Sequence, residues 1–333
     1  MFRGYLLNAV GCRCVAGHVR VQTRHGSNSE QLKTKIDECV SIPETTFINE
    51  NKKHPPGRPN RMSSYDSDKG FAGSIPELYD THLVPLIFEP YATDLAARLV
   101  SRPPARVLEI AAGTGVVTRA LATGLPEAVS IVATDLNQSM LDQAAARGTK
   151  RPVTWRQADV MDLPFADGAF DAVVCQFGAM FFPDKAGAYA EVRRVLRSGG
   201  LFVFNVWDRI QENEFADTVT TALEALFPHN PPRFLARTPH GYHDQETIKR
   251  DLAAGGFTAS PAIATLTARS RAASCERPAV AYCQGTPLRN EIEARDASRL
   301  TEATAIAAEA IANRFGRERV DGKIQAHVVT IAR

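Results

Sequence analysis

The sequence predicts an α/β fold organised around a mostly parallel sheet with helices on both faces, and three observations carry that expectation. Residues 106–115, Arg-Val-Leu-Glu-Ile-Ala-Ala-Gly-Thr-Gly, form an apolar strand that ends in small residues and runs into the helix-like stretch 116–121. Strand-like and helix-like segments then alternate, and the strands are apolar throughout, as buried parallel strands are. Glu109, Asp135 and Asp159 lie on or just beyond three successive strands. That spacing sets three carboxylates at one edge of the sheet, where open α/β folds bind their ligands.

Each element follows from its own signals. An opening helical region spans 75–100, with Leu95 and Leu99 at helical spacing. Strand 106–111 leads through Gly113 and Gly115 into helix 116–124. Strand 129–134 precedes helix 138–147, which Gly148 closes, and strand 153–157 follows. Phe170–Gln176 is a fourth strand. Asp184 caps helix 185–197, which stops at Gly199-Gly200 before a fifth strand, 201–207. Beyond Trp207 come a helix at about 213–226, a turn marked by Pro228, Pro231 and Pro232, and a helix 245–254 capped by Asp244. A sixth strand is expected over 257–269, one long helix from Pro287 to Phe315, and a seventh strand over 322–332.

Composition narrows the function. The 333 residues are 44% hydrophobic and 23% charged, with a formal net charge of +2, as in an ordinary globular protein. Residues 1–61 carry ten Lys/Arg against five Asp/Glu, and the remainder carries 29 against 32. The body is mildly acidic and lacks the basic field that nucleic-acid binding demands, so no nucleic-acid partner is expected. Cys12, Cys14, Cys39, Cys175, Cys275 and Cys283 show neither C-x-x-C pairs nor zinc spacing; neither a disulfide framework nor a metal site is expected. Cys175 reads as a small buried hydrophobe. No apolar run spans a bilayer, and the cytoplasm is the expected compartment. The first 29 residues hold four Arg, two His and no acid, a composition seen in organelle-targeting leaders. Glycines at 4, 11 and 17 and the Pro-rich stretch 54–61 favour reading 1–61 as a disordered leader or extension, with the working domain at 62–333.

The segments Val107-Leu-Glu-Ile-Ala-Ala-Gly-Thr-Gly, Ala133-Thr-Asp-Leu-Asn-Gln-Ser-Met, Ala158-Asp-Val-Met-Asp-Leu-Pro-Phe, Phe170-Asp-Ala-Val and Arg194-Val-Leu-Arg-Ser-Gly-Gly, in this order, resemble the class I S-adenosylmethionine (SAM)-dependent methyltransferases. The likeness covers about residues 75–270 and is nearest to the small-molecule group that includes the ubiquinone/menaquinone C-methyltransferases. It implies a Rossmann-like seven-stranded sheet with an antiparallel last strand, SAM as cofactor and a small-molecule methyl acceptor. By the same resemblance, the turn Ala111–Gly115, with Gly113 and Thr114, would pass under the methionine part of SAM, and Glu109 would orient that loop. Asp135 would accept from the ribose hydroxyls, Leu136 and Met140 would pack on adenine, Asp159 would accept from the adenine amino group beside the Val160 backbone, and Gln176 would end near the sulfonium. Ala111 stands where the family pattern has glycine.

The implied chemistry is in-line attack of the acceptor on the methyl carbon, in which alignment does most of the work. No catalytic residue is singled out. Two segments interrupt the common fold, about 208–243 and 274–316, and both are expected to cap the methyl group. Apolar wall is expected from Phe227 and Phe234, and acceptor-side polar groups from Tyr79, His82, Tyr242, His243 and Arg289. Two other functions compete. An NAD(P)-dependent oxidoreductase is consistent with Asp135 lying 20 residues after Gly115, but Gly113-Thr-Gly-Val-Val-Thr lacks the third small residue of the dinucleotide fingerprint. A non-enzymatic SAM-binding scaffold would have no evident need of all three acids.

Overall fold

The computed structural model describes Phe71 and residues 73–333; the expectations for residues 1–61 lie outside the described residues. The chain runs α1 (Ile75–Leu78), a π-helix (Tyr79–Phe88), α2 (Glu89–Val100), β1 (Arg106–Glu109), α3 (Val116–Gly124), β2 (Ser130–Asp135), α4 (Gln138–Arg147), β3 (Thr154–Gln157) and β4 (Phe170–Gln176). It continues through α5 (Lys185–Val195), β5 (Leu196–Trp207), α6 (Glu214–Leu226), α7 (Phe234–Arg237), α8 (Gln245–Ala254), β6 (Ala262–Ser274), α9 (Glu276–Gln284), α10 (Leu288–Asp296), α11 (Leu300–Phe315) and β7 (Glu318–Ala332).

The seven strands lie in the order β3-β2-β1-β4-β5-β7-β6. β1 to β5 are parallel, whereas β7 runs antiparallel to both β5 and β6. Period-two alternation sends Val107, Val174 and Val203 to one face, against Leu95, Leu99 and Leu121 of α2 and α3. Leu108, Val173, Phe202 and Phe204 go to the other face, against α5, α6, α8 and the cap helices. Strand order reverses between β1 and β4, which opens a crevice at their carboxyl ends.

Several elements differ from the sequence expectation. Helix α5 ends at Val195, because Leu196 is extended and pairs with Phe170, ahead of a register shift that restarts the ladder at Leu201. Strand β6 begins at Ala262 because Phe257 is used otherwise: Gly256 takes φ 87°, and the Phe257 amide closes the end of α8 on the Leu252 carbonyl. The long C-terminal helix is broken. Asp296 is extended, and its carboxylate accepts from the Ser298 amide, which starts a new turn before α11. Helix α9, which buries Ala279, Tyr282 and Cys283, was not expected.

The Tyr79–Phe88 π-helix contains Pro85, which has no N–H to donate. It is fastened over the loop after β1 by Asp80, whose carboxylate is paired with Arg147 of α4 and lies 3.7 Å from Arg119 of α3. Among the described residues no helix is long and apolar enough to cross a membrane, and no group of three or more His, Cys, Asp or Glu could hold a metal ion.

Candidate functional site

The loop after β1 is built from alternating left-handed residues: Ala111 at φ 53°, Gly113 at 55° and Gly115 at 81°. At Gly115 a side chain is excluded twice, by φ and by contact, since an added Cβ would lie 2.9 Å from Trp155 and 3.1 Å from Ala144. Asp135, at the end of β2, holds the loop by accepting from the Gly113 amide at 2.9 Å and the Asn137 amide at 2.8 Å. Burial pushes its carboxyl up, and these backbone donors pull it back.

A cleft opens beside this loop. Ala111, Gly113, Asp135 and Asp159 line it, together with Leu136, Met140, Val160 and Gln176. Leu136 is 39% exposed although it is large and apolar, so it offers a flat ligand an unfilled surface. Asp159 accepts from the Met161 amide through one oxygen, and Gln176 Oε1 is buried without a hydrogen-bond partner. Glu109, Thr114 and Gly115 do not line the cleft. The Glu109 carboxylate accepts from the Thr118 hydroxyl at 2.6 Å, and its carbonyl accepts from the Thr134 hydroxyl at 3.0 Å.

Tyr79 bridges this cleft to a second chamber. It stacks on Phe88 with ring centroids 5.1 Å apart and lines both spaces. Aromatic residues dominate the chamber wall, including Phe177, Phe181, Trp207, Phe234 and Tyr282. Phe177 lies flat on Trp207, centroids 3.8 Å apart and planes at 4°. Phe177 keeps a positive φ of 50°, and its amide donates to Asn205 Oδ1 at 2.9 Å.

Of the polar residues expected on the acceptor side, only Tyr79 lines either space. The Tyr242 hydroxyl donates to Asp251 at 2.8 Å and accepts from Tyr189, which makes it a buried strut. His243 Nδ1 donates to the His240 carbonyl, and Arg289 is held by Glu293 and Ser74. His82 is half-buried and lines neither the cleft nor the chamber; burial, with Arg277, lowers its imidazole. Phe227 is buried and packs under the Arg299 guanidinium, away from both spaces, whereas Phe234 is a chamber wall. The sequence reading missed His240, Trp207, Phe177 and Tyr282. No local signal separates His240 from His243; only the fold brings one of them to the chamber.

The alanine at 111 is coupled to a glycine elsewhere. A Cβ on Gly178 would lie 2.4 Å from the Ala111 methyl and 2.8 Å from Cys175 Sγ. Gly178→Ala is expected to destabilise by about 1–3 kcal/mol through overpacking. Ala111→Gly, which removes the nearer clash and the left-handed alanine, is expected to recover part of that loss in the double variant. Urea unfolding of the four proteins measures the coupling, and strictly additive losses would refute it.

A methyltransferase domain family matches residues 108–204. The ubiquinone/menaquinone biosynthesis C-methyltransferase UbiE of Burkholderia mallei (strain SAVP1) is 34% identical over 170 residues, covering 47% of this chain and 69% of that protein. The protein of the same name from Burkholderia thailandensis matches with the same identity and coverage. Among solved structures, the YcgJ protein of Bacillus subtilis aligns at TM-score 0.45 and 18% identity, covering 72% of this chain and 98% of that one. The chain therefore belongs to the class I SAM-dependent methyltransferases, in the group that resembles the UbiE C-methyltransferases.

Proposed function

We propose that this enzyme transfers a methyl group from SAM, held in the cleft beside the loop after β1, to a small and largely apolar molecule held in the aromatic chamber. The observation that carries this reading is that cleft and chamber share Phe71, Tyr79, Phe177 and Phe181 as walls. A ligand in one space thus abuts a ligand in the other. The cleft residues fit SAM. Asp135 keeps acceptor capacity beyond the Gly113 and Asn137 amides and the Asn137 side chain, which suits ribose hydroxyls. Leu136 and Met140 give the adenine an apolar wall, and Asp159 has an oxygen free for its amino group. Gln176 lines the cleft, and its buried Oε1 has no hydrogen-bond partner among the described residues.

SAM, when bound, brings a methyl group already activated on a sulfonium. The protein's remaining tasks are alignment and exclusion of water, for which closed apolar walls are suited. Incubation with labelled SAM and fractionated cell extract, followed by mass identification, is expected to give a labelled small molecule. Label on protein or nucleic acid would overturn the small-molecule reading. Leu235, a chamber wall, offers the matching test: Leu235→Trp fills the chamber and is expected to cut transfer by about tenfold or more while SAM affinity stays unchanged.

A further inference from the structure

Two polar side chains around the aromatic chamber, those of Asn213 and Thr286, are already committed to the protein. Asn213 donates through Nδ2 to the carbonyls of Asp208, Arg209 and Gln325, and its Oδ1 accepts from the Gln325 amide. The Thr286 hydroxyl donates to the Tyr282 carbonyl and accepts from the Leu288 amide. His240 differs. It is buried, lines the chamber, and sets its Nδ1 2.8 Å from the Asp208 carbonyl oxygen. A carbonyl can only accept, so Nδ1 carries the proton and Nε2 is left with its lone pair. No group among the described residues is hydrogen-bonded to Nε2.

The carbonyl that fixes this tautomer is itself anchored. The Asp208 amide donates to Gln325 of β7 at 3.0 Å, and its carboxylate accepts from Gln325 Nε2 at 2.6 Å and lies 3.3 Å from His327 Nε2. Burial, and to a lesser degree His243, lowers the His240 imidazole to about 4 against the opposing pull of Asp208. The ring is therefore neutral at physiological pH. Among the described residues no Asp, Glu, Lys or Arg lines the chamber, so a charged acceptor would sit there unpaired at high cost, whereas a neutral ring would be met by aromatic walls.

We propose that His240 is the general base of this enzyme, taking through Nε2 the proton of a neutral aromatic hydroxyl compound seated in the chamber. The proposal rests on the methyl-transfer reading above. The acceptor's oxygen forms a bond to the methyl carbon, the carbon–sulfur bond breaks with its electron pair left on sulfur, and the hydroxyl proton passes to Nε2. One positive charge leaves the sulfonium and one appears on the imidazolium, where the Asp208 carbonyl stabilises it; that proton returns to water when the product leaves. The hydroxyl proton grows more acidic as the carbon–oxygen bond forms, so a weak, correctly placed base suffices.

The test compares β-naphthol with its methyl ether, which share a ring but differ in the donor, by fluorescence titration of the full chain alone and with S-adenosylhomocysteine. The wild-type protein is expected to bind β-naphthol about tenfold more tightly than the ether. His240→Phe is expected to bind both alike, His240→Gln to restore part of the preference, and both variants to keep S-adenosylhomocysteine affinity. Failure of β-naphthol to bind, equal affinities in the wild type, or a preference that survives in His240→Phe overturns the assignment. Absence of S-adenosylhomocysteine binding in the wild type would instead overturn the cofactor reading, and the naphthol comparison on the chain alone still decides the role of His240.

Discussion

Asp135→Ala is expected to weaken SAM binding by about 10- to 150-fold, the equivalent of about 1.5–3 kcal/mol for a hydrogen bond to a charged group. The carboxylate is nearly buried, so an interaction made there is little screened by water. It is also the post to which the loop is tied: without it the Gly113 and Asn137 amides lose the acceptor that fixes the loop against β2. Asp135→Asn keeps one acceptor oxygen but turns an N–H group toward those donors, so it is expected to fall between the wild type and the alanine variant. Calorimetry on variants that melt cooperatively checks the order. Wild-type affinity in a folded Asp135→Ala protein would remove Asp135 from the cofactor site.

The parts of this molecule that were legible in its sequence are those punctuated locally. The helices Gln138–Arg147 and Gln245–Ala254 are legible to the residue because Gly148, Asp244 and Gly255 mark where helical hydrogen bonding starts or stops. The breaks that are not legible depend on competition between patterns. The apolar stripe across 287–315 outweighed the short signal Asp296-Ala-Ser, and Phe257 looked like a strand residue although its amide belongs to the end of α8. The same division runs through the site. The cleft gathers residues at the ends of successive strands, which sequence spacing can locate. The chamber gathers Phe177, Trp207, Phe234, His240 and Tyr282 from separate elements, and no spacing rule relates them. Tyr242 and His243, chosen on chemistry alone, prove to be struts of α8 and of the turn before it.

Glu109→Gln is expected to remove most of the fall in stability that the wild-type protein shows between pH 6.5 and 8, where the buried Glu109 carboxyl keeps its proton in the fold and loses it in the unfolded chain. Burial pushes its carboxyl up to about 8, from an ordinary value of 4.5, against the Thr118 hydroxyl and the Arg119 charge that pull it down; the Asp135 carboxylate pushes the same way as burial. Below 4.5 both folded and unfolded states hold the proton, and the group costs nothing. Between 4.5 and 8 the unfolded chain ionises while the native state does not, so stability falls by about 1.4 kcal/mol per pH unit; above 8 the native carboxyl ionises too and the loss is complete. Starting at 6.5 excludes His82 and His240, whose lowered values act only below that pH, and stopping at 8 excludes the raised thiols of Cys175 and Cys283. Asp135, also raised, is present in both proteins and cancels in the comparison. Across the window the wild type should lose about 2 kcal/mol by this route, and the glutamine, which can still accept from Thr118, should not. Urea unfolding at the two pH values measures both slopes. Parallel slopes would mean that Glu109 is ionised in the native protein, and its support of the loop would then be electrostatic.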